Sequence, residues 1–310
     1  MEAKHHGVLP SVVVCPRCNK ECSFREDKHL WYCSATRVIP KTKKRKVCNY
    51  TVSDYHGSFL HRCSIPPWKL LLFINHFLSH TWDHKTILDC LQFSSKTSVD
   101  WRSFCCEVLD AWFTNQPAIG GQGIEVENDE TLIARCKYER GRILKQVWLF
   151  GGIERASKKR FVVALTGEVG KQRDRATLLP LIEKYIIKGS IIYSDSWGAY
   201  SKLKELNYIH HQINHSQNFV DPDNTAIHTQ NIERLWRDIK DHVKRPGIRS
   251  SYLYQYLAQY LFISDPTITS KNRVHYFLKE AARLYPPQGG RVRADPKAEV
   301  TSSGDELELV

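Results

Sequence analysis

The stretch His228–Arg245, which reads HTQNIERLWRDIKDHVKR, predicts an amphipathic helix. One stripe of this helix is apolar at steps of three and four residues: Ile232, Leu235, Trp236, Ile239 and Val243. The other faces are basic: Arg234, Arg237, Lys240, Lys244 and Arg245. Thr229 is a suitable N-cap, and Pro246–Gly247 ends the pattern. Glu233 lies in the second turn beside the apolar stripe. Taken alone, this acid indicates only a solvated surface carboxylate.

Upstream of this helix the sequence predicts a mixed α/β region. Its elements are three strands (124–129, 146–153 and 160–166), a helix (174–187), a strand (190–194), a short strand (208–213) and then the helix above. This is the order of an RNase H-like fold of the retroviral integrase type. In that fold, acids on the first strand, after the fourth strand and on a late helix meet at one sheet edge. Asp129, Asp195 and Glu233 occupy these places, with 37 residues between the last two.

These three acids predict a two-metal site. Carboxylates brought together repel one another and take up protons unless cations neutralise them. Oxygen ligands of this kind suit Mg²⁺ or Mn²⁺. Two such ions, about 3.5–4 Å apart, can clamp a scissile phosphate between the attacking and the leaving oxygen. We therefore expect Asp129, Asp195 and Glu233 to be both metal ligands and catalytic residues, although each acid alone is also typical of a solvated element end.

The N-terminal region carries cysteines at the spacing of zinc ligands. Cys15-Pro-Arg-Cys18 predicts a tight knuckle that presents two thiolates to one structural Zn²⁺. Cys33 and Cys48 are the predicted second pair. Their spacing is less specific, and three further residues are alternatives: Cys22, His29 and Cys63. Free thiols are the other interpretation. A disulfide framework is not expected, because no export signal opens the chain.

The charge distribution points to a polyanionic partner. The chain carries a net charge of +12, and its last sixteen residues carry −4, which leaves +16 on residues 1–294. A body this basic favours nucleic acid first and an anionic membrane second. No apolar run approaches the roughly 20 residues of a bilayer span. We expect an intracellular protein with no membrane partner.

Eight basic residues are candidate DNA contacts: Lys43, Lys44, Arg45, Lys46, Lys137, Arg142, Arg234 and Arg237. The first four belong to a basic run between Cys33 and Cys48, which is equally typical of a nuclear import signal or a solvated loop. Lys137 and Arg142 follow the first strand in a predicted turn, where they could track a DNA backbone. A solvated hairpin is the alternative there.

Composition and pattern divide the chain into five segments: a leader (1–10), a zinc ribbon (11–64), a helix-turn-helix domain (65–116), the catalytic domain (117–284) and a disordered acidic tail (285–310). The predicted helix-turn-helix domain contains three predicted helices: Trp68–Ser79, Lys85–Leu91 and Val99–Phe113. A polar turn precedes the third helix. Three short helices in this arrangement are typical of a helix-turn-helix, and a plain helical linker domain is the alternative.

Several blocks of sequence resemble those of the Merlin-type DDE transposases of eukaryotes and their bacterial insertion-sequence relatives. The resemblance runs over residues 15–285. It includes Cys15-Pro-Arg-Cys18, Val126-Glu-Asn-Asp-Glu-Thr131, Trp148-Leu-Phe-Gly-Gly-Ile153, Tyr193-Ser-Asp-Ser-Trp-Gly-Ala-Tyr200, Asn214-His-Ser216 and His228-Thr-Gln-Asn-Ile-Glu-Arg-Leu-Trp236. The last three blocks in series are specific, whereas any one alone is weak.

The resemblance implies a cut-and-paste transposase with Asp129, Asp195 and Glu233 as its catalytic triad. It also implies that the zinc ribbon and helix-turn-helix bind the terminal inverted repeats. A dimer or larger assembly on DNA follows from the need to process two ends together. The expected location is the nucleus in a eukaryote, or the cytoplasm and nucleoid in a bacterium. Two alternatives stay open: a non-catalytic DNA-binding derivative and an RNase H-like nuclease.

One residue departs from the family pattern. The position before the first Asp is usually apolar, but here it is Asn128. A buried amide without partners costs about 1–3 kcal/mol. Asn128 indicates either a decaying copy or a local hydrogen bond of its side chain, and because all three acids are present we expect a potentially active chain.

Overall fold

The structure, a computed structural model, describes residues 6–38, 44–79, 84–133, 148–165, 173–195, 198–213, 228–243 and 250–287. These residues form two compact units. The first contains the described residues up to Ala111 and from Ser270 onward, and the second is Trp112–Thr269. Among the described residues, none of the helices is both long and apolar enough to cross a bilayer.

The described strands are β1 (Ser23–Arg25), β2 (Leu30–Tyr32), β3 (Thr36–Val38), β4 (Arg45–Val47), β5 (Thr51–Ser53), β6 (Ile119–Gly120), β7 (Glu125–Leu132), β8 (Trp148–Glu154), β9 (Arg160–Leu165), β10 (Ile186–Ile187), β11 (Ile191–Asp195) and β12 (Ile209–Ile213). The described α-helices are α1 (Pro67–Phe77), α2 (His84–Leu91), α3 (Ser95–Thr114), α4 (Arg175–Tyr185), α5 (Gln230–Val243), α6 (Ser250–Ile263) and α7 (Arg273–Leu284).

The first unit begins with two small antiparallel sheets. β2 lies between β1 and β5 in one sheet, and β3 pairs with β4 in the other. Trp31 on β2 is buried, and its indole N–H donates a hydrogen bond to Oδ1 of Asp54 at 2.7 Å. This pairing satisfies the indole N–H in the interior, as a buried tryptophan requires.

The helices of the first unit start and end close to the predicted positions. α3 begins at Ser95, four residues earlier than predicted, because Ser94 caps it: the Ser94 Oγ accepts from the Thr97 N–H at 3.1 Å. The polar turn that the sequence placed over residues 94–98 is therefore mostly helix. The three helices are present, but the residues between α1 and α2 include 80–83, which lie outside the described chain.

Two predicted segment boundaries differ from the structure. α7 was placed in the catalytic domain, but it belongs to the first unit, where Arg273 donates from Nε to the Asn75 Oδ1 at 2.8 Å. Phe277 of α7 is fully buried. The predicted leader is not wholly untethered either, because Val8 and Leu9 are buried. Both segments have apolar faces that the first unit covers.

The second unit contains a five-stranded mixed sheet in the order β12-β11-β7-β8-β9. β7, β8 and β9 are antiparallel neighbours, while β11 runs parallel to both β7 and β12. The predicted order of three strands, a helix and two further strands is confirmed. Residues 186–187 are an exception, because they form β10, which pairs with β6. The predicted helix therefore ends at Tyr185.

Apolar side chains cover both faces of this sheet. On one face a core forms around Val126, Phe150, Phe161, Leu178 and Tyr200. On the other face the predicted stripe of α5 packs against Leu149 and Val162, together with α6. All five stripe residues of α5 are buried. Burial of each such side chain contributes about 1.5–3 kcal/mol, which holds the Glu233 helix on the sheet.

Candidate active site

Asp129 and Asp195 lie on neighbouring parallel strands. Tyr193 of β11 pairs with Glu127 of β7. The pairing of these strands ends there, two residues before Asp129 and Asp195, and the negative charge of Asp195 is close enough to raise the pKa of Asp129. Neighbouring strands lie about 4.8 Å apart, so the two carboxylates belong to one local site. A strand positions each acid: Asp129 lies within β7, and Asp195 is the last residue of β11.

The helix that carries Glu233 is bonded to Asp129 through Trp236. The Trp236 indole N–H donates to Oδ2 of Asp129 at 3.1 Å. The indole fits because Gly151, which pairs with Asp129 across β7 and β8, has no side chain. A Cβ on Gly151 would lie 2.6 Å from the Trp236 ring and 2.9 Å from the Phe161 carbonyl oxygen. Gly151 thus provides the space that lets α5 approach the sheet.

The environment of Asp129 disfavours its ionised form. Burial raises the pKa of this carboxyl to about 7, and the negative charges of Glu130 and Asp195 act in the same direction. The hydrogen bond from Trp236 acts against them. A carboxyl in such surroundings takes up a proton unless a cation neutralises it. The residues present therefore fit a hard divalent cation such as Mg²⁺ or Mn²⁺.

A cleft of about 360 Å³ opens at Asp129. Its lining residues are Asp129, Thr131, Glu233, Trp236, Arg237, Lys240 and Asp241. Two of the three predicted catalytic acids therefore face the same opening. Arg237 and Lys240 add positive charge to the lining, which suits a phosphate backbone.

The three acids are grouped more loosely than the cysteines of the first unit. Within the described ranges, those cysteines are the one group of three or more potential ligands whose ligand atoms all lie within 4.8 Å of one another. Asp195 approaches Asp129 from the neighbouring strand, and Glu233 approaches it from α5. The structure thus brings the predicted acids to one region without closing them into a compact ligand set.

Two buried acids on β7 were not predicted as part of the site. Glu127 is fully buried and binds Arg155 and the start of α5. Glu130, on the other face, binds the Arg173 guanidinium at 3.1 Å and accepts a hydrogen bond from the Tyr200 hydroxyl. Burial raises the pKa of Glu130. Glu127 lies on the same face of the strand as Asp129 because side chains alternate, but its partners lie about 30 and 100 residues away along the chain.

Asn128 is fully buried between these acids. Neither its side-chain oxygen nor its nitrogen has a hydrogen-bond partner among the described residues. Of the two expectations for this residue, the local hydrogen bond is therefore not found within the described chain. The buried amide lowers the stability of the sheet by about 1–3 kcal/mol.

The four predicted zinc ligands come together. The Sγ atoms of Cys15 and Cys48 are 3.6 Å apart, and those of Cys18 and Cys33 are 3.3 Å apart. All four ligand atoms lie within 4.8 Å of one another. Four thiols at this spacing match the tetrahedral donor set of a structural zinc ion.

Strand pairing, rather than sequence spacing, positions the second pair. The Cys33 N–H donates to the Tyr50 carbonyl at 2.8 Å, and the Cys48 N–H donates to the Ala35 carbonyl at 2.8 Å. Burial raises the pKa of the Cys33 thiol to about 12. A metal is needed to hold such a thiol as the thiolate that binds zinc. Cys22 is also buried nearby, but it is not one of the four.

The predicted DNA contacts are only partly described. Lys44, Arg45 and Lys46 are exposed next to Cys48, and Arg234 and Arg237 are exposed on α5. Arg237 also lines the cleft at Asp129. Three further predicted contacts lie outside the described residues: Lys43, Lys137 and Arg142.

Comparison with known proteins identifies relatives of this chain. The family model for the ISXO2-like transposase domain matches residues 107–265. An uncharacterized transposase-like protein of Haemophilus influenzae is 32% identical over 85 residues, which cover 27% of this chain and 67% of that protein. A chain of the simian T-cell lymphotropic virus intasome, solved with a PP2A regulatory subunit, is 16% identical with a TM-score of 0.31, over 72% of this chain and 78% of its own.

Proposed function

Because the chain belongs to the ISXO2-like transposase domain family, we propose that it is a metal-dependent DNA transposase acting by cut-and-paste. Its catalytic residues are Asp129, Asp195 and Glu233, on an RNase H-like domain of the Merlin type. The observation that carries this proposal is the placement of these acids. Asp129 and Asp195 each lie two residues beyond the paired residues Glu127 and Tyr193 of neighbouring strands, and Glu233 lines the same cleft as Asp129.

The three acids would hold two Mg²⁺ or Mn²⁺ ions, which supply activation of the attacking oxygen and stabilisation of the leaving oxygen. Trp236 keeps Oδ2 of Asp129 in place by its hydrogen bond. Arg237 and Lys240 orient the DNA backbone along the cleft. In the first step a water oxygen bonds to the phosphorus and the P–O3′ bond breaks, which frees a 3′-hydroxyl. In the second step that hydroxyl attacks a target phosphate and releases the target's own 3′-oxygen.

The first unit supplies the binding of the transposon ends in this proposal. Its four thiols hold a structural Zn²⁺ in a zinc ribbon, and exposed Lys44, Arg45 and Lys46 contact phosphates. Helices α1–α3 act as a helix-turn-helix. Two ends must be processed together, so the active species is a dimer or larger assembly on DNA. In a eukaryotic cell the protein acts in the nucleus, and in a bacterium it acts in the nucleoid.

A strand-cleavage and strand-joining assay tests the proposal. The substrate is labelled DNA with the terminal repeats of the element that encodes the chain, with Mg²⁺, Mn²⁺ or neither. We expect joined product that requires the metal and is lost in Asp129→Ala, Asp195→Ala and Glu233→Ala. Glu205→Ala, which changes an exposed acid of a 3-10 helix in the same unit, is the control and keeps full activity.

The other outcomes separate the remaining possibilities. Cleaved DNA without joined product would replace the transposase with a nuclease on the same fold. Specific binding of the repeats without cleavage in either metal would leave a DNA-binding derivative whose acids no longer act.

A further inference from the structure

The carboxylate of Glu127 lies against the N-terminus of α5. It is fully buried, and its Oε2 accepts from the backbone N–H groups of Asn231 at 2.8 Å and Ile232 at 3.1 Å. Its Oε1 accepts from the Asn231 side-chain amide at 2.8 Å. The first N–H groups of a helix have no partner within the helix. Glu127 therefore caps α5 from a strand about 100 residues earlier in the chain.

The capping fixes one end of α5 on β7. Side chains alternate along a strand, so Glu127 and Asp129 point to the same face. On that face Glu127 binds Asn231, and Asp129 binds Trp236. Two hydrogen-bonded points along the same strand and helix define the position of the helix, and Glu233 lies between them. The helix dipole places partial positive charge at the N-terminus of α5, and this charge strengthens the contact with the buried Glu127 carboxylate.

Arg155 connects the same carboxylate to the third element of the site. Its Nε donates to Oε1 of Glu127 at 2.9 Å. Its guanidinium lies over the Tyr193 ring of β11, 3.7 Å from the ring centroid. Its NH2 group donates to the His228 carbonyl at 2.5 Å, just before α5. One guanidinium thus contacts β7, β11 and the entry to α5.

The contact that His228 makes depends on whether its Nδ1 carries a proton. Its Nδ1 is 3.4 Å from Oε1 of Glu127 and 3.4 Å from the Gln230 backbone nitrogen. A protonated Nδ1 can donate to Glu127, while an unprotonated one can only accept from Gln230. The Glu127–Arg155 pair does not depend on this choice, because its donors are an arginine and backbone amides.

We propose that the Glu127–Arg155 pair is the positioning device that sets the mutual placement of Asp129, Asp195 and Glu233. This inference rests on the proposed function of those acids. Each contact of the pair lies close in sequence to one of them. Glu127 is two residues before Asp129, Tyr193 is two residues before Asp195, and Asn231 is two residues before Glu233. The pair itself does not bind the metal or the DNA.

The test compares Glu127→Gln with Glu125→Gln in the zinc-loaded full chain. Gln at position 127 keeps the shape but turns an amide N–H₂ toward donors. Glu125 is half-exposed, accepts from the Tyr193 hydroxyl and lies 3.8 Å from the Arg155 guanidinium, so Glu125→Gln keeps an acceptor for Tyr193 and leaves the contacts between Glu127 and α5 in place. Mn²⁺ is titrated into each protein by calorimetry, with Asp129→Asn as the reference for loss of the site. We expect Glu127→Gln to weaken Mn²⁺ binding about tenfold or more and Glu125→Gln to change it less than about threefold.

Cleavage kinetics provide a second readout. The Mn²⁺ concentration for half-maximal cleavage should rise in Glu127→Gln and recover in part in Glu127→Asp, which restores the charge. Asn231→Ala removes one of the donors to Glu127, together with the acceptor of the exposed Lys158 ammonium, and keeps the backbone N–H groups. It should shift the same value by about threefold, which keeps the test informative if Glu127→Gln fails to fold. An unchanged half-maximal concentration, with a rate reduced only by the unfolded fraction, would overturn the proposal.

The two proposals fail in different ways. Without Mn²⁺-dependent cleavage by the unmodified chain, the proposed transposase activity is lost, but calorimetry still measures the positioning effect. With normal cleavage and equal Mn²⁺ affinity in Glu127→Gln and Glu125→Gln, the positioning role is lost and the activity stands.

Discussion

The indole N–H of Trp236 donates to Oδ2 of Asp129. This hydrogen bond joins α5, the helix of Glu233, to β7, the strand of Asp129. The bond depends on the absence of a side chain at Gly151, directly across from Asp129. The geometry of the candidate site therefore depends on a glycine of β8, the strand next to the one that carries Asp129.

The substitution Gly151→Ala should separate α5 from β7. The added Cβ would meet both a ring atom of Trp236 and the backbone of Phe161, and the backbone cannot yield cheaply. We expect a loss of about 1–3 kcal/mol in the free energy of unfolding, measured in urea, and a larger proportional loss of metal-dependent cleavage. Gly198→Ala is the matched control, because its Cβ would meet nothing within 4 Å. Equal effects of the two substitutions would contradict this account.

Thermal stability without added Mg²⁺ or Mn²⁺ should report the titration of Asp129. Its pKa in the folded state is about 7 against an ordinary value of 3.8, so folding favours the protonated form. The stability contributed by this group is fully present below about pH 3.8 and is lost as the pH rises through about 7. Asp129→Asn cannot titrate at this position. The melting temperature of Asp129→Asn relative to that of the unmodified chain should therefore rise between pH 3.8 and pH 7.

Two further measurements complete the comparison. The difference in melting temperature between Asp129→Asn and the unmodified chain should become constant above pH 8. Saturating Mg²⁺ should reduce this difference, because the cation favours the ionised carboxylate. Each kcal/mol corresponds to a shift of about 2–4 °C for a unit of this size. Melting curves that stay parallel from pH 4 to pH 8 would show that Asp129 does not titrate as described.

Asn128→Leu should stabilise the second unit. Leucine has nearly the shape of asparagine, and it removes a buried amide that has no partner within the described residues. We expect a gain of about 1–3 kcal/mol in the free energy of unfolding. Asn128→Asp is the counterpart, which keeps the size, adds a charge and should destabilise the protein most at high pH. A loss of stability in Asn128→Leu would mean that the amide makes a hydrogen bond with residues outside the described chain.

The zinc content of the purified protein should depend on Cys15, Cys18, Cys33 and Cys48, and it should not depend on the buried Cys22. Metal analysis of the purified chain should find one zinc, lost in Cys15→Ser and Cys48→Ser and retained in Cys22→Ser. Loss of the metal should also lower the melting temperature of the first unit, because structural zinc contributes directly to folding. If Cys22→Ser lost zinc to the same degree, the donor set would have to include that thiol.

The local patterns of the sequence predicted the elements of the site, because periodicity is a local property. The apolar stripe of α5 and the strand positions of Asp129 and Asp195 were all predicted in this way. The role of Glu127 was not predicted, since a helix cap is normally sought among adjacent residues such as Thr229. The partner of Glu127 is adjacent only after β7 and α5 have packed.

The second pair of cysteines illustrates the same limit differently. Residue type left Cys22, His29 and Cys63 as alternatives to this pair. The approach of the pair to Cys15 and Cys18 depends on backbone hydrogen bonds to Tyr50 and Ala35. No spacing rule contains that information. The place of α7 could not be predicted either, because an amphipathic pattern specifies that a face is buried but not which surface buries it.

The return of α7 to the first unit affects the order in which the protein can fold during synthesis. The second unit is an insertion in the chain of the first, between Ala111 and Ser270. The ribosome therefore completes the second unit before it supplies α7, and the core around Phe277 must wait for the last described helix. An expression fragment that stops at Ala111 would leave the surface under α7 exposed. The first unit by itself is better produced as residues 6–111 joined by a short linker to 270–287.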